Sequence, residues 1–266
     1  MVELALNQVT AARLNWQATA DLTRRLGCSG VELRNDLGRT LFEGADPRAV
    51  REGLAERGIS LYEVAEISRF NALAAADLTA AEDLIAQAAA AGARGVALIP
   101  AVGSEVAADA TCEALKRLAE PLAATGLLGF VEPIGFPASS LRRKEDALDA
   151  IAACGNPERF ALIHDTFHHH LAGENAVFAG ETAIIHISGV PAPVDRDRVG
   201  DSARGLVDAG DGLGTVAQVR ALMDAGFEGP VSVELFDPAI QHLTDYDAVL
   251  APMLQFFRDQ IDRAPV

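Results

Sequence analysis

The sequence predicts a single α/β domain, a (β/α)8 TIM barrel spanning residues 1–266. Three observations lead there. Short apolar runs alternate with longer amphipathic ones, and eight such strand–helix units in one chain of this length suit a closed barrel. No linker divides the chain, and 266 residues suit one large domain better than two small ones. A doubly wound open sheet would place a Gly-rich phosphate loop after its first strand, whereas the first apolar run here leads into Asn7-Gln8-Val9-Thr10.

The strands are read where Val, Ile and Leu cluster in short runs, as in parallel strands buried on both faces. They are Leu4–Asn7, Gly30–Arg34, Ser60–Ala65, Gly95–Ile99, Leu128–Glu132, Phe160–Asp165, Ala183–Ile187 and Val231–Leu235. Ala- and Leu-rich stretches favour helices between them. These fall at about 13–27, 46–57, 79–91, 106–125, 143–154, 173–179, 215–225 and 243–262. Gly27, Gly58, Gly92, Gly126 and Gly226 stand where helices end. Half of the residues are hydrophobic but only 5% are aromatic, so Ala, Val, Leu and Ile must build the core. Residues 188–214 form the longest irregular stretch; following the seventh strand, it should cover the barrel mouth.

A net charge of −16 disfavours nucleic-acid binding, because it repels phosphate backbones. The basic triplet Arg142, Arg143 and Lys144 reads as a solvated helix start. Cys28, Cys112 and Cys154 lack CxxC spacing, which fits reduced thiols in a cytoplasmic protein. No signal peptide is expected, and no segment has the ~20 apolar residues that span a bilayer.

Function is read from where the polar residues fall. Barrel enzymes carry their chemistry at the C-terminal ends of strands. Here VELR gives Glu32 and Arg34, FVEP gives Glu132, LIHD gives His164 and Asp165, IIHIS gives His186, and VSVEL gives Glu234. A buried carboxylate is costly unless paired or coordinated. Glu32 has Arg34 close by, and an ion pair between them is one reading. Glu132, Asp165, His186 and Glu234 lie on strands five to eight, and adjacent strands are ~4.8 Å apart, so the four can converge on one ion. Their mostly hard donor set suits Mn²⁺, Mg²⁺, Co²⁺ or Zn²⁺. In DTFHHH (Asp165 to His170), His168 could turn back over the mouth, whereas His169 and His170 read as solvent-facing or loop caps. His164 should point away from Asp165, toward the helices. Arg196, Arg198 and Arg204 in the long stretch could bind a substrate hydroxyl or balance the neighbouring aspartates.

These blocks resemble the xylose-isomerase-like TIM-barrel family of sugar-phosphate isomerases and epimerases, and within it the inosose (2-keto-myo-inositol) isomerases of myo-inositol catabolism. LALNQVT, GVELRND, FVEPIGFP, DTFHHHLAGEN, IIHIS, DRDRV and GPVSVELFDP occur in that order along nearly the whole chain. The resemblance implies one divalent metal ion held by Glu132, Asp165, His186 and Glu234. It implies Glu132 and Glu234 as the catalytic pair, His168 in substrate binding, and a small polyol or sugar as substrate. The family's loop arginine falls on Arg198. Because Gly200–Leu206 replaces the family's following Pro-Gly segment, Arg204 is the alternative. Glu32 and Arg34 are further substrate-binding candidates. The implied reaction is isomerisation or epimerisation of an inosose-like keto-polyol through a cis-enediolate, and family members are often homo-oligomers. The alternatives are a dehydratase of an inosose or of 3-dehydroshikimate on the same scaffold, or a non-catalytic sugar-binding domain.

Overall fold

The computed structural model describes residues 2–263, and the ends of the expected 1–266 domain lie outside that range. Eight parallel strands close into a barrel in sequential order: β1 Leu4–Asn7, β2 Gly30–Arg34, β3 Ser60–Ser68, β4 Gly95–Ile99, β5 Leu128–Val131, β6 Phe160–Asp165, β7 Thr182–Ile187 and β8 Val231–Val233. Helices α1 Trp16–Arg25, α2 Pro47–Glu56, α3 Ala75–Ala91, α4 Ala110–Thr125, α5 Lys144–Ala153, α6 Thr166–Ala172, α7 Thr215–Asp224, α8 Pro238–Gln241 and α9 Asp247–Asp262 connect and flank them. Among the described residues no helix is long and apolar enough to cross a membrane. All three cysteines are free.

The two-residue period of a strand builds the interior in layers. Ala5, Phe130, Ile163 and Ile184 pack with Tyr62 and Ala97 in an apolar plug inside the barrel. Two residues further along the same strands stand Asn7, Glu132, Asp165 and His186, all buried. The polar layer therefore rests on the apolar one. The opposite strand faces and the helices form the larger cores, with Val31, Val64, Val96 and Leu162 in one and Leu6, Ile185, Val231 and Val233 in the other.

Three differences from the sequence reading bear on the site. First, the helix expected at 173–179 is instead α6, which starts directly after β6. The Asp165 side chain accepts the backbone N–H of His168 at 2.9 Å and caps the helix, and Gly173 closes it at φ 68°. The histidines of this turn carry no apolar periodicity, so the pattern misplaced it. Second, pairing in β5 and β8 ends one or two residues earlier than expected. Glu132 and Glu234 stand just past the strands but are still tethered, donating backbone N–H to Leu98 and Ile187 at 3.1 and 3.0 Å. Third, the start of α5 is not a solvated basic patch. Lys144 is buried, with its ammonium on His169 Nδ1 and 3.4 Å from both His164 Nδ1 and Glu174 Oε2. His169 is thus buried rather than solvent-facing, while His164 lies outside the barrel against Gln218, as read.

Gly135 locks the segment after β5 against α6. A β-carbon there would stand 2.2 Å from the His168 carbonyl oxygen, a backbone atom that cannot step aside. Arg142 spans the same contact, donating to the carbonyls of Gly135 and Leu171 at 2.8 Å each. Gly135→Ala should therefore destabilise the protein by about 1–3 kcal/mol, as overpacking of a tight contact does. Denaturant unfolding measures this, and an unchanged midpoint would contradict the close approach.

Candidate metal centre

Parallel pairing sets Asp165 beside His186, and closure of the barrel brings β8 round to β1. Ligand atoms of Glu132, Asp165, His186 and Glu234 consequently all lie within 4.8 Å of one another. None of the four residues is more than 5% exposed. His186 organises the group. Its Nε2 is 2.8 Å from Glu32 Oε2, so the ring is oriented from behind. Its Nδ1 faces the carboxylates, 3.2 Å from Glu234 Oε2 and 3.7 Å from Glu132 Oε1, and makes no hydrogen bond. A carboxylate-backed imidazole with its other nitrogen turned into three carboxylates is the arrangement of a metal-ligating histidine. The donor set, three carboxylates and one imidazole, fits a divalent ion.

Two arginines and an asparagine hold Glu234. Asn7 Nδ2 bridges Glu234 Oε1 and Glu32 Oε2 at 3.1 Å each, and Arg34 Nη1 donates to Glu234 Oε1 at 3.0 Å. Arg204 Nη2 donates to Glu234 Oε2 at 2.6 Å and to Asp165 Oδ2. The Arg204 guanidinium lies over the Phe236 and Phe167 rings, 4.6 and 5.3 Å from their centroids.

The substrate-side expectations are redistributed by this geometry. Arg198 is not brought to the centre: its side chain is 87% exposed and lies 3.8 Å from Asp195. Arg204 takes the central place. The segment that carries it is strapped down by the Gly189–Gly205 bridge and by the Arg204 carbonyl, which accepts the N–H groups of Phe236 and Asp237. Glu32 does not pair with Arg34 and does not reach the mouth; it lies beneath His186. Arg34 instead joins Asp36, Glu66 and Glu234. His168 is buried with Phe136 and Phe167 against its ring, its Nδ1 lacks a partner, and its Nε2 is 4.0 Å from Asp201. Asn7 and Glu63 were missed. Each is a lone polar residue within or at the end of an apolar run, and only barrel closure turns both inward.

Environment separates the titrations. Burial pushes Glu132 up to about 7. Burial pushes Glu234 the same way, but His186, Arg204 and Arg34 override it and hold its carboxyl well below the usual range. Burial would lower His186, yet Glu32 and Glu234 raise it well above an ordinary imidazole. Burial, followed by Arg204, depresses His168 to about 3, leaving it neutral.

Comparison with known proteins agrees with this architecture. The model of the family described as "Xylose isomerase-like TIM barrel" matches residues 20–260. An inosose isomerase of Bacillus velezensis is 31% identical over 145 residues, 51% of this chain and 48% of that protein, so the chain spans about half the length of the curated relative it matches. A crystal structure of a xylose isomerase domain containing protein from Salmonella typhimurium LT2 superposes with a TM-score of 0.91, at 27% identity over 98% of each chain. The structure of an IOLI protein with a binding zinc atom superposes at 0.84, with 20% identity over 98% of each chain, a likeness of fold. With the match running from α1 into α9, the chain belongs to the xylose isomerase-like TIM barrel family.

Proposed function

We propose that this chain is a divalent-metal-dependent isomerase or epimerase of a small keto-polyol or sugar, inosose-like in size, working through a cis-enediolate. The observation that carries this reading is the convergence of Glu132, Asp165, His186 and Glu234 within 4.8 Å, with the His186 Nδ1 turned into the carboxylates without a partner. The likeness to an inosose isomerase and the zinc in the IOLI structure support it.

A divalent ion held by these four residues supplies positive charge that acidifies a proton next to a ketone. The chain's own groups do the rest. Glu234, held ionised by Arg34 and Arg204, removes the proton from the carbon beside the carbonyl. Glu132, whose proton is retained up to about 7, returns one from its own side of the mouth. Two carboxyls pushed apart by their surroundings divide base and acid roles in this way. Arg204 aims its donors at the oxygen that gains negative charge. His168, neutral with a free Nδ1, bonds a substrate hydroxyl.

The same protonation states govern metal uptake. The Nδ1 of His186 must lose its proton to bind a cation. Glu32 and Glu234 raise His186 well above an ordinary imidazole, so cation affinity should climb from pH 6 to pH 8, by about tenfold per unit for the one proton displaced. Titration of the metal-stripped protein with Mn²⁺ at pH 6, 7 and 8 measures this, and a flat profile would contradict the ligand assignment.

The reading is tested by metal analysis of the purified protein. Assays against inososes, ketoses and 3-dehydroshikimate follow, with the metal restored. Conversion of a ketose or inosose to an isomer supports it. A product with new ultraviolet absorbance would move the protein to the dehydratases.

A further inference from the structure

We propose, resting on the reading of Asp165 as a metal ligand and His168 as a substrate contact, that Lys144 is a positioning residue whose buried ammonium sets where those two side chains stand. Helix α6, which carries both, has only seven residues, too few to hold a shape alone, so its neighbours must fix its depth and rotation. Gly135 fits against the His168 carbonyl, and Arg142 bonds that of Leu171. Lys144, the first residue of α5, adds a hold of a different kind. An ammonium has three N–H groups. Lys144 meets three acceptors: His169 Nδ1, with His164 Nδ1 and Glu174 Oε2 at 3.4 Å each. Glu174 Oε1 accepts the backbone N–H of Lys144 at 2.9 Å, so one carboxylate grips both ends of the residue. His164 directly precedes Asp165 on β6, and His169 directly follows His168 on α6. Glu174 lies just past Gly173, which ends the helix. The stretch bearing Asp165 and His168 is thus clamped before, within and after.

The network continues to α7. Gln218 Nε2 donates to the carbonyls of Thr166 and Leu213 at 3.0 and 2.9 Å, so its Oε1 accepts from His164 Nε2 at 3.0 Å. His164 therefore carries its proton on Nε2 and turns the lone pair of Nδ1 to Lys144. Thr166 opens α6, so the same amide pins the start of the helix. A buried charge cluster of this kind contributes little net stability over apolar side chains of the same volume; what it supplies here is a fixed geometry. His164 lies outside the barrel, and Lys144 bonds it there, so the effect on the centre must pass through β6 and α6.

Lys144→Met keeps the length of the side chain and removes its charge. At a temperature where circular dichroism shows the metal-free variant fully folded, the His168 amide, held by Asp165, should exchange its hydrogen about tenfold faster than in wild type. Amides of β1 and β2 should keep their wild-type rates. Mn²⁺ affinity and kcat should each fall about 10–100-fold, as when an outer partner of a metal ligand is lost or a reacting group is displaced by about 1 Å. Phe257→Leu, a core change in α9, should lower the melting temperature and alter none of the three quantities. Wild-type exchange at His168 together with wild-type Mn²⁺ affinity in Lys144→Met, whatever its melting temperature, would make the lysine merely structural and overturn the proposal. If that variant does not fold, Gln218→Leu, which releases the Thr166 carbonyl, should move exchange and Mn²⁺ affinity in the same directions, and no change in either overturns it as well. Wild-type protein that binds no Mn²⁺ or turns nothing over counts against the proposed function alone, because the exchange measurement needs neither metal nor substrate.

Discussion

Glu234→Gln should lower kcat about 10³–10⁴-fold, combining loss of a general base with loss of a charged ligand. Glutamine keeps the volume and one acceptor for Arg34 and Asn7, which bond Glu234 Oε1. It loses the acceptor facing Arg204 Nη2 at 2.6 Å, a charged hydrogen bond whose removal costs about 1.5–3 kcal/mol. The variant should therefore remain folded, with a lowered midpoint and almost no turnover. Steady-state kinetics beside a melting curve separate the two effects. Activity within tenfold of wild type would remove Glu234 from the chemistry.

Arg204→Leu should move two quantities in opposite directions. Loss of its donors should lower kcat/KM about 10²–10³-fold, as removal of an oxyanion donor does. Divalent-ion affinity should rise, because a buried positive charge bonded to both Asp165 and Glu234 is removed from beside the ligands. Arg198→Leu is the control. With the side chain 87% exposed, it should change either quantity less than twofold. Parallel kinetics and metal titration of the two variants decide between the arginines, and a larger effect at Arg198 would contradict the arrangement described above.

The choice between those arginines shows where sequence reading stops. Strands β1, β2, β4 and β6 were legible to the residue, because parallel strands buried on both faces write themselves as short Val/Ile/Leu runs. The four candidate ligands, which the structure brings within 4.8 Å of one another, were legible for the same reason: each is a polar residue at or near the end of such a run. Arg204 was left open beside Arg198 because residues 188–214 carry no periodicity. What fixes Arg204 is the Gly189–Gly205 bridge and two aromatic rings distant in sequence. For Glu32 and Arg34 the sequence left two readings open, an ion pair with each other or substrate binding. In the barrel each meets a nearer partner from another strand, His186 for one and Glu234 for the other. Lys144 and His169 looked like surface charge for a similar reason. Their burial depends on α5 and α6 packing side by side behind β6, which no local pattern records.

None of Glu132, Asp165, His186 and Glu234 is more than 5% exposed, and Arg204 bonds two of them, Asp165 and Glu234. Under the proposed function a substrate meets an ionised Glu234, a proton-bearing Glu132 and a neutral His168, a set suited to proton transfer. Solvent exchange tests that claim most directly. The protein with its metal restored is incubated in D₂O with a ketose or inosose that it turns over, and the carbon next to the carbonyl is followed by NMR. Deuterium should enter at that carbon, in both product and recovered substrate, and should not do so with Glu234→Gln. Turnover with no deuterium at that position would contradict an enediolate and, with it, the roles given to Glu132 and Glu234.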